Sequence, residues 1–319
     1  MPTVTLAESA KLSQNDLVAG VIENIITVDH FFEILPFDGI EGNALAYNRE
    51  NALGPVATVG VGETIGPGAT GGANLAARQA AKNPATFTEV TASLTTIMGD
   101  AEVNGLIQAT RSNVNDQTAV QIGSKAKSAG RQYRDMLING TGANNQFEGL
   151  INLCPAGQTV SAGTNGAAIS FELLDELLDL VVDRDGEVDY ILMHARTIRS
   201  YKALLRALGG ASINEVVTLP SGRQQLGYSG VPIFRNDYIP INQTQGSINT
   251  ATSVFAGTID DGSRSMGIAG LTAENEAGIV VQPVGYSETK DEFITRVKWY
   301  SGLALFSEKG IACIEGVNN

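Results

Sequence analysis

The chain has 319 residues, 43% of them hydrophobic and 17% charged, which fits a globular protein that buries a real core in one large or two smaller domains. Its formal charge is −13, and no stretch is strongly basic: residues 1–99 carry 4 basic and 10 acidic side chains, 100–150 carry 5 and 5, and 151–290 carry 9 and 15. This argues against tight electrostatic binding of nucleic acid. Two cysteines and two histidines without CxxC spacing argue against a disulfide framework and a structural zinc site, and no run of 18 apolar residues marks a membrane span.

In chain order, residues 1–12 are small and polar and carry no signal-peptide pattern. Ser13 caps a predicted helix to about His30, with Leu17, Val21 and Ile25 on its apolar side. That face suits a core or a partner. Residues 43–84 resist packing: Gly54, Gly60, Gly62, Gly66, Gly68, Gly71 and Gly72 alternate with Pro, Ala, Thr and Val, with a short strand expected at Ala57 to Val61. A long glycine-rich excursion in a folded domain is functional or disordered. Thr86 to Leu94 alternates and reads as a strand.

From Asp100, a plausible N-cap, apolar residues recur at mostly helical spacing as far as Leu137. Roughly 40 residues would make a rod of ~60 Å. It empties into Asn139-Gly140-Thr141-Gly142 and then Phe147-Glu148-Gly149-Leu150. Pro155 to Ala168 reads as a mobile stretch. Ser170 to Val182 reads as a helix with Leu174, Leu177 and Val181 on its apolar side, Val188 to Met193 as a strand, and Ala195 to Leu208 as a helix stopped by Gly209-Gly210. Strands are expected at Val231 to Tyr238, Ser253 to Ala256, Gly278 to Val284, Phe293 to Tyr300 and Leu303 to Phe306. The mixture predicts an α+β fold.

Catalytic signals are weak. Gly60-Val61-Gly62 lacks the third glycine of GxGxxG, and no GKS or GKT follows. Ser229 in Gly227-Tyr228-Ser229-Gly230-Val231 misses the GxSxG elbow. His194 reads as a helix-start histidine and His30 as a packing residue. The best metal candidate is the acidic turn with Asp183, Asp185, Glu187 and Asp189 around Gly186, but it lacks EF-hand spacing and holds Arg184. A solvated turn is the simpler expectation, so no cofactor and no enzyme activity are expected. Cys154 and Cys313 read as small core residues.

The long helix emptying into Gly-Thr-Gly and then Gly-Leu resembles the spine helix of tailed-phage major capsid proteins, which have the Hong Kong-97-type (Johnson) fold. Other segments resemble that family in its own order. The resemblance implies an N-terminal arm (1–42), an extended β-hairpin loop (43–84), a peripheral domain with the spine helix (85–150), an axial domain (151–282), and closing strands of the peripheral domain (283–319). It implies a structural protein of the virion, assembled in the bacterial cytoplasm into hexamers and pentamers of an icosahedral shell around double-stranded DNA that it does not grip. Inter-subunit contacts are expected at the arm residues and loop glycines above, and at Arg111 and Arg131 of the spine. Some relatives cross-link a loop lysine to a neighbour's asparagine, but here Lys11 alone precedes Lys82, so noncovalent contacts are expected. The resemblance further suggests a separate scaffolding protein, a portal protein, possible decoration proteins and no membrane. An encapsulin-type nanocompartment, which shares the fold and packages an enzyme, is the alternative.

Overall fold

A computed structural model describes residues 30–111, 116–182, 187–207 and 216–318. The predicted helix from Ser13, with Leu17, Val21 and Ile25, lies outside the described residues. So do Asp183, Asp185 and Gly209-Gly210. Among the described residues the strands are β1 (Phe37–Ile40), β2 (Ala44–Ala52), β3 (Thr86–Ser93), β4 (Thr95–Asn104), β5 (Thr159–Ser161), β6 (Tyr190–Met193), β7 (Val216–Thr218), β8 (Gln224–Tyr228), β9 (Val231–Arg235), β10 (Gln243–Gln245), β11 (Ile248–Gly257), β12 (Ile268–Ala273), β13 (Val280–Tyr286), β14 (Glu292–Leu305) and β15 (Ile311–Val317). The helices are α1 (Leu75–Ala80), α2 (Gly105–Arg111), α3 (Gln117–Asn139), α4 (Leu150–Leu153), α5 (Phe171–Val182) and α6 (Ala195–Ala207).

The chain forms two compact units, Ala44–Ala92 and the remainder. In the remainder, β14 organises the first sheet. Its residues pair with β4 along one edge, while β13 and then β12 pair with it in succession, and β1 runs parallel to β12. A second, eight-stranded sheet runs β5-β15-β11-β6-β9-β8-β7, with β10 also on β11. Helices α5 and α6 bury Leu174, Leu177, Val181, Tyr201 and Leu205 against it. Each such side chain contributes about 1.5–3 kcal/mol. Ser170 caps α5 through its Oγ, which accepts the Leu173 N–H.

The long rod is shorter than the sequence suggests. Asp100 is not a helix cap: it lies in β4, directly opposite Arg296 of β14. Thr95, Ile97, Ala101 and Val103 are buried in β4 while Thr96 and Met98 are exposed, a period of two that belongs to a strand. The spine helix proper, α3, starts after Asp116, whose carboxylate accepts the Thr118 and Ala119 N–H groups at 2.9 and 3.4 Å. Its 23 residues span roughly 35 Å. Ala129, Tyr133, Met136 and Leu137 face inward, and Lys125, Ser128, Arg131 and Gln132 face water.

Under α3 lies an aromatic core. Tyr133 stacks on Trp299 of β14 with centroids 4.8 Å apart, and Phe32, Phe37 and Phe147 pack around it at 5.3–5.6 Å. Burial pushes the Tyr133 phenol well above its usual range, and the hydroxyl donates to the Gly302 carbonyl at 3.3 Å. Three further expectations change. Residues 155–168 contain a 3₁₀ turn and β5. The two late strands at 293–306 are one, β14. And β15, grouped by sequence with β14 as a closing strand, joins the other sheet, beside β11 and β5.

Candidate assembly surfaces

The unit Ala44–Ala92 pairs β2 with β3 as a two-stranded sheet. Ala57 to Val61 forms no strand; the strands of this hairpin are the flanking β2 and β3. All seven candidate glycines fall between the end of β2 and the start of α1. Its buried side chains are few: Ala69 and, fully enclosed, Arg78 of α1. The guanidinium donates to the carbonyls of Ala73 and Thr64, each at 3.0 Å, and to that of Gly71, and it pairs with Glu63 at 3.5 Å. Glu63 in turn accepts the Gly60 N–H at 2.9 Å. The Gly66 N–H donates to the Arg78 carbonyl at 2.8 Å. Gly66, at φ +102°, sits in the left-handed region that favours glycine. It is buried, unlike the other six candidate glycines, and it builds the turn.

Around that polar hub the apolar side chains point outward. Leu53, Val56, Val59, Val61, Ile65 and Phe87 are exposed, Val56 by 90%. Six large apolar side chains on one small unit form the kind of surface that a partner covers. Sequence reasoning places the contacts on the glycines. Val56, Val59 and Val61 between those glycines, and Leu53 before them, expose large apolar side chains.

At the far end of α3 the Gly-Thr-Gly and Gly-Leu pairs form a tight backbone junction. The Gly140 N–H closes α3 onto the Met136 carbonyl at 2.9 Å, and the Gly149 N–H donates to the Gly140 carbonyl at 2.9 Å. A Cβ at Gly149 would lie 2.6 Å from Gly140 N, Ile138 O and Met136 O. Only glycine fits there. Asn139 Nδ2 reaches across to the Tyr238 carbonyl at 2.9 Å, and Asn152 Nδ2 to the Gly140 carbonyl at 3.0 Å. This junction anchors the spine helix to α4 and to the segment after β9.

Arg131 stands exposed on α3, beside a groove of ≈ 350 Å³ shared with Phe32, Lys127, Ile279 and Trp299. Arg111 ends α2, and its side chain lies outside the described residues. Gly123 and Gly130 leave open space where a Cβ would stand. They mark no close backbone approach among the described residues.

Of the acidic-turn candidates, Asp183 and Asp185 lie outside the described residues, and Glu187 and Asp189 are described. Asp189 spends one carboxylate oxygen on the Ile259 N–H at 2.7 Å, and burial raises its pKa. The Glu187 carbonyl accepts from Thr258 Oγ1. Among the described residues no group of three or more His, Cys, Asp or Glu side chains could hold a metal ion. His194 Nδ1 accepts the Arg196 N–H at 3.1 Å, which caps α6. Among the described residues no helix is long and apolar enough to cross a membrane.

The fold recurs in known proteins. The encapsulin in the holo-SrpI complex of Synechococcus elongatus PCC 7942 superposes with a TM-score of 0.71 at 19% identity, covering 99% of this chain and 97% of that one. The structure from Mycobacterium phage Bobi gives 0.63 at 12% identity over 100% of both chains. The capsid protein of Myoviridae phage XM1 gives 0.61 at 11% identity, over 95% of this chain and 97% of the other. At such identities the likeness establishes the α+β Hong Kong-97-type fold. A search of curated proteins gave no match. The model of the phage capsid family matches residues 44–311, and the chain therefore belongs to the phage capsid family, as a structural shell protein.

Proposed function

We propose that this chain is the major capsid protein of a tailed bacteriophage and that its copies assemble into the hexamers and pentamers of an icosahedral shell around double-stranded DNA. The family match over residues 44–311 carries this reading. The Ala44–Ala92 unit supports it physically. That unit holds its shape through Arg78 and turns its apolar side chains outward, as a segment laid across a neighbouring copy must do. Each such contact is weak, and shell symmetry multiplies it. In this account the arm (1–42) and loop tie capsomers together, the eight-stranded sheet with α5 and α6 forms most of the axial domain, and the spine helix with the β14 sheet forms the peripheral platform. Arg131 of the spine helix and Arg111 of α2 are contact candidates on that platform. A charge of −13 suits a wall that repels phosphates and lets DNA move past it. The role is geometric, without turnover. A separate scaffolding protein, a portal protein and a decoration protein complete the expected set of partners during assembly in the host cytoplasm.

A second reading has one observation in its favour: the TM-score of 0.71 to an encapsulin. An encapsulin-type shell would enclose a cargo protein. Purified particles separate the two. Nuclease-protected double-stranded DNA inside them supports the phage capsid. A stoichiometric protein cargo without DNA overturns it in favour of the compartment.

A further inference from the structure

We propose that Cys154 and Cys313 form an oxidisable dithiol, a modification site at which a low-molecular-weight disulfide converts the two thiols into an intrachain disulfide. They are the two cysteines of the whole chain. They lie far apart in sequence, yet the fold packs Cys154 against the buried cluster that contains Cys313, with Thr159 next to both. Cys154 ends the short helix α4, its N–H donating to the Leu150 carbonyl at 3.1 Å. Cys313 sits in β15 directly opposite Thr159 of β5. Thr159 Oγ1 is also 3.8 Å from Cys154 Sγ, and the Gln158 carbonyl is 3.6 Å from it. One residue is therefore neighbour to both cysteines and fixes them side by side.

The two thiols differ. Cys154 is partly exposed, while Cys313 is 3% exposed. The neighbouring Cys313 thiol holds the Cys154 thiol below its ordinary range. The Cys154 thiol in turn, and then burial, push Cys313 well above it. Cys154 is thus the reachable attacking thiolate, and Cys313 keeps its proton and resolves. In the first step Cys154 Sγ attacks one sulfur of a small disulfide RSSR; its S–S bond breaks and RS⁻ leaves. Cys313 then attacks Cys154 Sγ, the S–S bond to R breaks, and the Cys313 proton goes to the departing thiolate, which leaves as RSH. Two protein thiols are oxidised, and one disulfide is reduced to two small thiols. The new bond ties the exit of the spine helix, through α4, to β15 in the eight-stranded sheet, and it closes a long loop of the unfolded chain.

The test uses the full-length chain, reduced, freed of reductant and exposed to excess oxidised glutathione. It is then mapped by mass spectrometry of a non-reducing digest and by thermal melting. The expected product is a Cys154–Cys313 peptide pair lighter by two hydrogen atoms, carrying no glutathione. The melting temperature should rise by on the order of 5 °C and return on reduction. Cys313→Ser should stop at a Cys154–glutathione mixed disulfide, and Cys154→Ser should leave Cys313 unmodified. Two thiols still free in the wild-type chain, glutathione retained on it, or cross-links between copies instead would overturn the proposal. The wild-type map decides even where a variant fails to fold.

Discussion

Arg78 and Tyr133 are both fully buried, and their surroundings could hardly differ more. Tyr133 lies among aromatic rings under the spine helix, where apolar area removed from water supplies the stability. Arg78 lies among backbone carbonyls and one carboxylate, in a unit whose other buried side chain is an alanine. The first region spends its apolar side chains on itself. The second keeps its form with charge-assisted hydrogen bonds, and so leaves Leu53, Val56 and Val61 to face outward. In the proposed shell this construction keeps those side chains available to a neighbouring copy, since an apolar core would enclose them.

Emptying each centre in turn separates the two regions. Tyr133→Ala removes the ring stacked on Trp299 and should cost about 3–5 kcal/mol in denaturant unfolding of unassembled subunits. A loss below about 1 kcal/mol would show that the aromatic cluster is not the core. Arg78→Ala leaves three carbonyls and Glu63 without their donor, and hydrogen bonds to a charged group are worth about 1.5–3 kcal/mol each. The loss should stay local. Amide exchange should accelerate across 60–78 and remain unchanged in α3 and β14. Protection lost evenly over both units would contradict the separation.

Gly149→Ala tests the junction that joins the spine helix to α4. Its Cβ would meet three backbone atoms at 2.6 Å, and the strain should cost roughly 1–3 kcal/mol in the same unfolding measurement. Tyr133→Phe keeps the packing and loses the bond to Gly302, for about 1 kcal/mol. The smallest effect concerns pH. Arg296, hydrogen-bonded to Asp100 through Nε and Nη2 at 2.8 Å, holds that carboxyl below its ordinary value. The pair therefore contributes fully above the unfolded carboxyl's pKa of about 4, and its contribution is lost as pH falls through the lower folded value. Asp100→Asn should flatten the acid limb of the stability profile and leave the neutral region little changed in slope.

Much of the half built on the eight-stranded sheet was legible in the sequence. The Leu174, Leu177, Val181 spacing gives α5, and the block from Val188 to Met193 gives β6 once the sheet supplies partners. The fold family was legible too, from the order of segments and the junction after the spine. The misreadings have physical causes. Asp100 resembles a helix cap, but the alternation of Ile97, Ala101 and Val103 already fits a strand, and pairing with Arg296 of β14 decides it. Gly302 resembles a strand break; a Cβ there would lie 2.9 Å from Ser93 O, so the small residue lets that backbone come close without interrupting β14. Strands such as β1, β5 and β10 are three or four residues long and exist through distant partners. Arg78, in Leu-Ala-Ala-Arg-Gln-Ala, reads as an ordinary surface cation. Its role depends on glycine turns that bring Thr64 and Gly71 back to it.

Electron microscopy of the full-length chain, taken from its native particles and also expressed alone, tests the central claim most directly when run beside a Val56→Asp, Val59→Asp, Val61→Asp variant. Closed angular shells are expected from the native chain, and folded but unassembled subunits from the variant with its outward apolar surface charged. Dimers or tetramers alone from both native preparations would contradict the shell reading, and normal shells from the variant would contradict the role given to the loop.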